Sequence, residues 1–205
     1  MSEIKNIIFD LGGVLIDIDY NKTINAFKEL GIPNFEEMFS QFKASDLFEK
    51  LETGDISEED FYSTIKKDIP VPVTDLQIEN AWNAILLDFR KESLDYLTFL
   101  QPKYNLYLLS NTNSIHYRSF QNLFKKETGK PSLDIYFIKA WYSHLIHLRK
   151  PYAAIYDFIV KEESLNPKET LFIDDSINNI ESAAKVGLQT HLLLPEERIE
   201  NPGII

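Results

Sequence analysis

The sequence contains no cysteine, which excludes a disulfide scaffold, a thiolate zinc site and a cysteine nucleophile. No apolar run approaches the roughly eighteen residues that a membrane-crossing helix needs. There is no basic N-terminal segment followed by a long apolar stretch, so the chain is expected to be cytoplasmic. Basic residues are scarce: 21 Lys and Arg stand against 32 Asp and Glu, for a net charge of −11. An acidic surface suits neither nucleic acid nor an anionic membrane, so neither is an expected partner. A small anionic substrate stays open, because a few local cations decide its binding. Internal repeats and low-complexity segments are also missing.

What is present is a core. Hydrophobic residues make up 44% of the 205 residues, enough to exclude wholesale disorder. The length fits one domain with a large insertion, or two small ones. The stretch that organises the chain is Ile7-Ile8-Phe9, an apolar run that ends at Asp10 and opens into Leu11-Gly12-Gly13-Val14. It reads as a buried strand delivering a carboxylate into a glycine-rich turn. In an open parallel sheet, ligands sit beyond the carboxyl ends of the strands, where Asp10 stands.

Val14 to Asp19 alternates, and from Tyr20 to about Arg90 the periodicity is helical. Ile24, Phe27 and Leu30 share one face, closed by Gly31 and Pro33. Phe35, Met38, Phe39 and Phe42 form a second face; Leu47, Phe48 and Leu51 form a third, stopped at Thr53-Gly54. Ser57 is placed to cap the next helix, and Thr74 to Gln77 is a capping box opening a helix that holds Ile78, Trp82, Ile85 and Leu86. No strand is expected between about 25 and 85. Past Arg90, helices alternate with apolar runs at Leu106–Leu109, Ala140–Ser143, Leu171–Ile173 and Thr190–Leu194. The helix after Ile173 is expected to pack through Ile180, Ala183 and Ala184 and to close at Gly187. The pattern predicts an α/β fold: a doubly wound parallel sheet from residues 1–16 and 91–205, with residues 17–90 as a helical insertion.

Three strand ends then present Asp10, Ser110-Asn111 and Asp174-Asp175 on one sheet edge, and a helix start presents Lys150. Carboxylates gathered this closely repel unless a cation sits among them. All-oxygen ligation suits magnesium, with Lys150 and the Ser110 hydroxyl left for phosphate oxygens. The set is sufficient for phosphoryl transfer. Each member also has a plainer reading: Asp174-Asp175 as a helix cap, Ser110 to Asn113 as a capped loop, Lys150 as a solvated lysine. Those readings do not account for successive strands ending this way in this order. The four histidines, at 116, 144, 147 and 191, show no ligand spacing and are read as structural or surface residues.

Phe9-Asp10-Leu11-Gly12-Gly13-Val14-Leu15 resembles the first motif of the haloacid dehalogenase-like (HAD) superfamily. Leu108-Leu109-Ser110-Asn111-Thr112, Arg149-Lys150-Pro151 and Phe172-Ile173-Asp174-Asp175-Ser176 are similar to its second, third and fourth, in order. The insertion sits where the family carries a helical cap. Asp10 through Tyr20, Gly54-Asp55-Ile56-Ser57 and Asn179-Ile180-Glu181 resemble the bacterial α-D-glucose-1-phosphate phosphatase group.

The resemblance implies a Rossmann-type core and a magnesium-dependent phosphatase of small phosphorylated metabolites, sugar phosphates among them. It implies that Asp10 attacks phosphorus to form an aspartyl-phosphate, while Ser110 and the backbone of Asn111 bind the phosphoryl group. Lys150 would neutralise that group and orient Asp10. Magnesium would be held by Asp10, the Gly12 carbonyl and Asp175, with Asp174 in direct contact or one step behind.

Two positions depart from the family. Gly12 stands where relatives usually place a second aspartate that moves protons, and His147-Leu148 precedes Arg149 where a glycine is common. Two other readings follow. One is a 2-haloacid dehalogenase, which also lacks that aspartate but gains nothing from the Asp174-Asp175 pair. The other is a catalytically weak protein that binds a phosphometabolite or a partner.

Overall fold

The computed structural model describes residues 3–40 and 43–205. Phe42, expected on the face of Phe35, Met38 and Phe39, lies outside them. The chain opens with β1 (Asn6–Phe9), β2 (Ile16–Ile18) and α1 (Tyr20–Leu30), then β3 (Phe39–Ser40), β4 (Lys43–Ala44), α2 (Asp46–Glu52), α3 (Glu58–Asp68) and α4 (Asp75–Asn83). It continues through β5 (Leu86–Phe89), α5 (Lys91–Leu100), β6 (Asn105–Ser110), α6 (Ser114–Thr128), β7 (Lys139–Tyr142) and α7 (Ser143–Ile146). It closes with α8 (Ala153–Glu162), β8 (Thr170–Asp174), α9 (Ile177–Lys185) and β9 (Gln189–Leu192).

The main sheet is wholly parallel, in the order β7-β6-β1-β8-β9, with the N-terminal strand at its centre. Phe9 lies level with Leu108 on one side and Ile173 on the other, so three strands finish together. Ile7, Ile8 and Phe9 are fully buried because helices cover both faces. Alternation along β1 sends Ile7 and Phe9 toward Leu94, Leu97, Phe120 and Phe124, and Ile8 toward Ile155, Tyr156, Ile159 and Ile180. Each such side chain contributes about 1.5–3 kcal/mol through burial.

Between β2 and β5 the helices follow the expected faces except the second: Phe35–Glu37 makes only a single 3-10 turn and Phe39 begins β3, so Phe35, Met38 and Phe39 share no helix. α1 ends where Gly31 turns left-handed at φ 108°, and Ser57 and Thr74 cap α3 and α4 through their side chains. Their core is aromatic, with Phe27 stacked on Phe35 at 4.0 Å and Trp82 packed among Phe39, Phe48 and Phe61.

The expectation of no strand between about 25 and 85 is wrong at one place, and the helical reading up to Arg90 fails at a second, just beyond it. A two-residue antiparallel pairing joins β3 to β4, and β5 pairs antiparallel with β2. Helix α4 stops at Asn83, so Ile85 and Leu86 are not helical: their spacing from Ile78 and Trp82 mimics a further turn, but Leu86 already belongs to β5. The packing of α9 also differs in detail, since Ile180 and Ala183 are buried while Ala184 faces solvent.

Candidate active site

Asp10 follows β1 directly, and its backbone N–H donates to the Ile173 carbonyl at 2.9 Å, holding it level with the end of β8. Ser110 is the last residue of β6, Asp174 the last of β8, and Asp175 the next. Lys150 enters from the loop between α7 and α8. Its Nζ donates to Asp10 Oδ1 at 2.7 Å and to Asp174 Oδ2 at 2.6 Å, with only 1% of its side chain exposed. Asn111 fixes that loop twice, accepting from the Lys150 N–H at 2.9 Å and donating to the Lys150 carbonyl at 2.8 Å. Ser143 Oγ ties down the Thr112 backbone, its N–H and its carbonyl both at 2.8 Å.

Charge is unbalanced here. Burial, with Asp174 and Asp175 nearby, pushes Asp10 up to about 8 although Lys150 opposes the shift. Burial and Asp174 push Asp175 up to about 6. For Lys150, burial acts to lower the value, but Asp10 and Asp174 outweigh it and hold the ammonium charged. Asp10, Asp174 and Asp175 each offer an oxygen within 4.8 Å of the others, a donor set that suits a hard cation. Asp174 is already engaged: Oδ1 accepts from the Ser176 N–H at 2.8 Å and from Asn179 Nδ2 at 2.9 Å, while Oδ2 takes Lys150. Asp10 and Asp175 therefore have more coordinating capacity to spare.

The two glycines differ. Gly13 has φ 70°, and a Cβ there would collide with the Asp175 carboxylate, so this position needs glycine. Gly12 lies outside the left-handed region, and a Cβ there would meet only the tip of Ile18, at 3.2 Å from Cδ1.

Asp10, Gly12, Ser110, Asn111, Lys150 and Asp175 line one cavity of about 360 Å³, with Asp174 behind Lys150. The same cavity has further walls: Glu49, Glu52 and His116, which sequence reasoning did not place there, and Tyr20, Arg149 and Asn179, which lie in the quoted motif segments but were given no role. Glu49 and Glu52 share a face of α2, an i,i+3 spacing readable in the sequence, but nothing there says that the face meets Arg149 about a hundred residues on. Arg149 Nη1 donates to Glu49 Oε1 at 2.6 Å, and Nη2 lies 2.9 Å from Glu52 Oε2.

Two histidines do more than fill space. Burial lowers His116 to about 3, so it is neutral, stacked on Trp82 with its Nδ1 at 2.9 Å from Asn83 Oδ1. His147 takes the left-handed conformation, φ 57°, that glycine adopts freely, which accounts for the family's glycine there. Its Nδ1–H donates to the Thr53 carbonyl at 2.7 Å, joining the inserted helices to the loop before Lys150.

The chain is similar to known proteins. The chain is 33% identical to D-ribitol-5-phosphate phosphatase from Bacteroides thetaiotaomicron over 187 residues, covering 91% of this chain and 90% of that one. A HAD family enzyme from Bacteroides thetaiotaomicron, solved as an aspartate-to-alanine mutant with magnesium and inorganic phosphate, superposes with a TM-score of 0.89 at 36% identity, covering 96% of this chain and 97% of that one. A predicted HAD-like family hydrolase from Porphyromonas gingivalis gives 0.84 at 34% identity, with 97% and 95% covered. The model for haloacid dehalogenase-like hydrolases matches residues 4–187, and with the four motif segments converging on one sheet edge the chain belongs to that family.

Proposed function

We propose that this protein is a magnesium-dependent phosphatase that hydrolyses phosphate monoesters of small sugars or polyols through an aspartyl-phosphate on Asp10. The observation that carries the reading is the trio of carboxylates around Lys150. Buried with a single ammonium, they leave a charge deficit that raises Asp10 and Asp175, and a divalent cation removes it. Asp10, Asp175 and the Gly12 carbonyl would hold the ion, with Asp174 behind them orienting Lys150. Magnesium bound there supplies positive charge for phosphoryl oxygens.

The chain's own groups do the rest. Lys150 holds Asp10 in place through its 2.7 Å hydrogen bond and opposes the rise in its pKa, the cation completing its ionisation, and the ammonium offsets phosphoryl charge. Ser110 and the Asn111 N–H bind phosphoryl oxygens at the end of β6. Asp10 attacks phosphorus as the ester P–O bond breaks, the leaving oxygen takes a proton from water, and a second water then hydrolyses the acyl phosphate to return Asp10 and inorganic phosphate. Residues 17–90 act as a cap that carries the leaving-group side of the cavity. Among the described residues no helix is long and apolar enough to cross a membrane, which suits a cytoplasmic enzyme acting on a small metabolite. The relative that acts on D-ribitol 5-phosphate supports a polyol ester as substrate.

The test is steady-state hydrolysis of D-ribitol 5-phosphate and p-nitrophenyl phosphate, with magnesium and with excess chelator. Turnover should need magnesium and vanish in Asp10→Asn for both esters. Undiminished activity in chelator, or in Asp10→Asn, would sink the mechanism.

A further inference from the structure

The wall opposite Lys150 is built from a helix of the insertion. Glu52 ends α2, is nine-tenths buried and lines the cavity. Its Oε2 is sealed against Arg149, paired with Nη2 at 2.9 Å, and among the described residues no hydrogen bond engages its other oxygen. Arg149 Nε is buried without a hydrogen-bond partner. Glu49, on the same face of α2, takes the remaining side of the guanidinium, and Tyr152 Oη approaches Glu49 at 3.4 Å. Two carboxylates around one guanidinium leave this wall negative, whereas the opposite wall is built for a dianion.

Glu52 lines the cavity with that second oxygen unclaimed by the protein, so a ligand held there can bring the donor it lacks. A hydroxyl does so; a carboxylate or a second phosphate would add charge to a wall already negative. Resting on the phosphatase reading above, we propose that Glu52 is a specificity-determining residue that accepts a hydrogen bond from a hydroxyl of the leaving group. The enzyme thereby selects monophosphates of neutral polyhydroxy alcohols over phosphorylated acids and bisphosphates. Burial raises Glu52 while Arg149 opposes the shift, and Glu49 and Lys150 are the other charged groups that act on it; with or without its proton the carboxyl can pair with a hydroxyl. Arg149 holds Glu52 in place from the residue next to Lys150, so one short segment serves both ends of the substrate.

Glu52→Gln tests this, because it keeps the shape and removes the strong acceptor. In magnesium, the ratio of kcat/KM for D-ribitol 5-phosphate to that for p-nitrophenyl phosphate should fall roughly 10- to 100-fold, the loss lying mainly in KM. Relative turnover of 2-phosphoglycolate, an acid that the wild-type wall repels, should rise. In an Asp10→Asn background, calorimetry should show D-ribitol 5-phosphate losing affinity relative to inorganic phosphate. If both esters lose the same factor, Glu52 acts only by holding Arg149 and Lys150, and the proposal is overturned. An unchanged ratio overturns it too. Should Glu52→Gln fail to fold, Glu52→Asp, one methylene shorter, should give the same selective loss. A wild-type protein that cleaves neither ester refutes the phosphatase reading itself, whatever Glu52 does.

Discussion

Asp10 and Asp175 hold their protons more tightly in the folded chain than the ordinary 3.8 of an aspartate, at about 8 and about 6. The folded state therefore binds more protons than the unfolded one between those limits, and stability falls as pH rises through them. His116, held at about 3 by burial, works in the opposite sense, but only below its ordinary 6.5. Between pH 6.5 and 8.5 the carboxyls govern. Metal-free protein should lose on the order of 5 °C in Tm across that window, and saturating magnesium should abolish the loss. A scanning calorimetry series in chelator and in magnesium checks it; parallel curves would mean that the carboxylates do not share an ion.

Gly12 gives the second prediction at this scale. The backbone there is not left-handed, so a side chain meets no conformational obstacle and only the flexible end of Ile18 must move. Gly12→Asp should speed hydrolysis of sugar 6-phosphates by up to about 10²-fold and that of p-nitrophenyl phosphate little, since only the alkoxide needs a proton. Comparing kcat/KM for the two esters decides it. The residues at the strand ends were legible because each ends an apolar run. Glu49, Glu52 and His116 were not, because helical periodicity separates a buried face from an exposed one without saying what the buried face meets.

At the scale of elements, the inserted helices depend on Trp82. Its indole packs among Phe27, Phe39, Phe48 and Phe61 and stacks on His116 at 4.6 Å, so it ties the aromatic core of these helices to α6. Trp82→Ala should cost about 3–5 kcal/mol, read by urea unfolding at pH 7, because the cavity is ringed by stiff aromatics that cannot collapse into it. A loss under about 1 kcal/mol would show that the aromatic core repacks. The helices of this region were readable from caps and spacing. The short strands were not: two residues are too few for an alternating pattern, and Ile85-Leu86 sits in phase with the helix that precedes it.

For the molecule as a whole, the parallel sheet followed from continuous apolar runs separated by helices, since only strands covered on both faces can be apolar throughout. Strand order, and the pairing of β2 with β5 across the base of the insertion, rest on contacts between distant segments that local pattern does not encode. One such long-range contact has a mechanical meaning. The Asn113 side-chain oxygen caps α6 by accepting from the His116 N–H at 3.0 Å, and it also receives Trp82 Nε1–H at 3.4 Å. A single oxygen atom thus starts a helix of the sheet layer and moors the aromatic hub of the inserted helices. Asn113 lies three residues beyond Ser110, so the mooring stands beside the cavity at the end of β6. Swinging the inserted helices away would pull on the first turn of α6 and on the loop that joins it to β6. Entry to the cavity and the shape of its floor are then one degree of freedom rather than two.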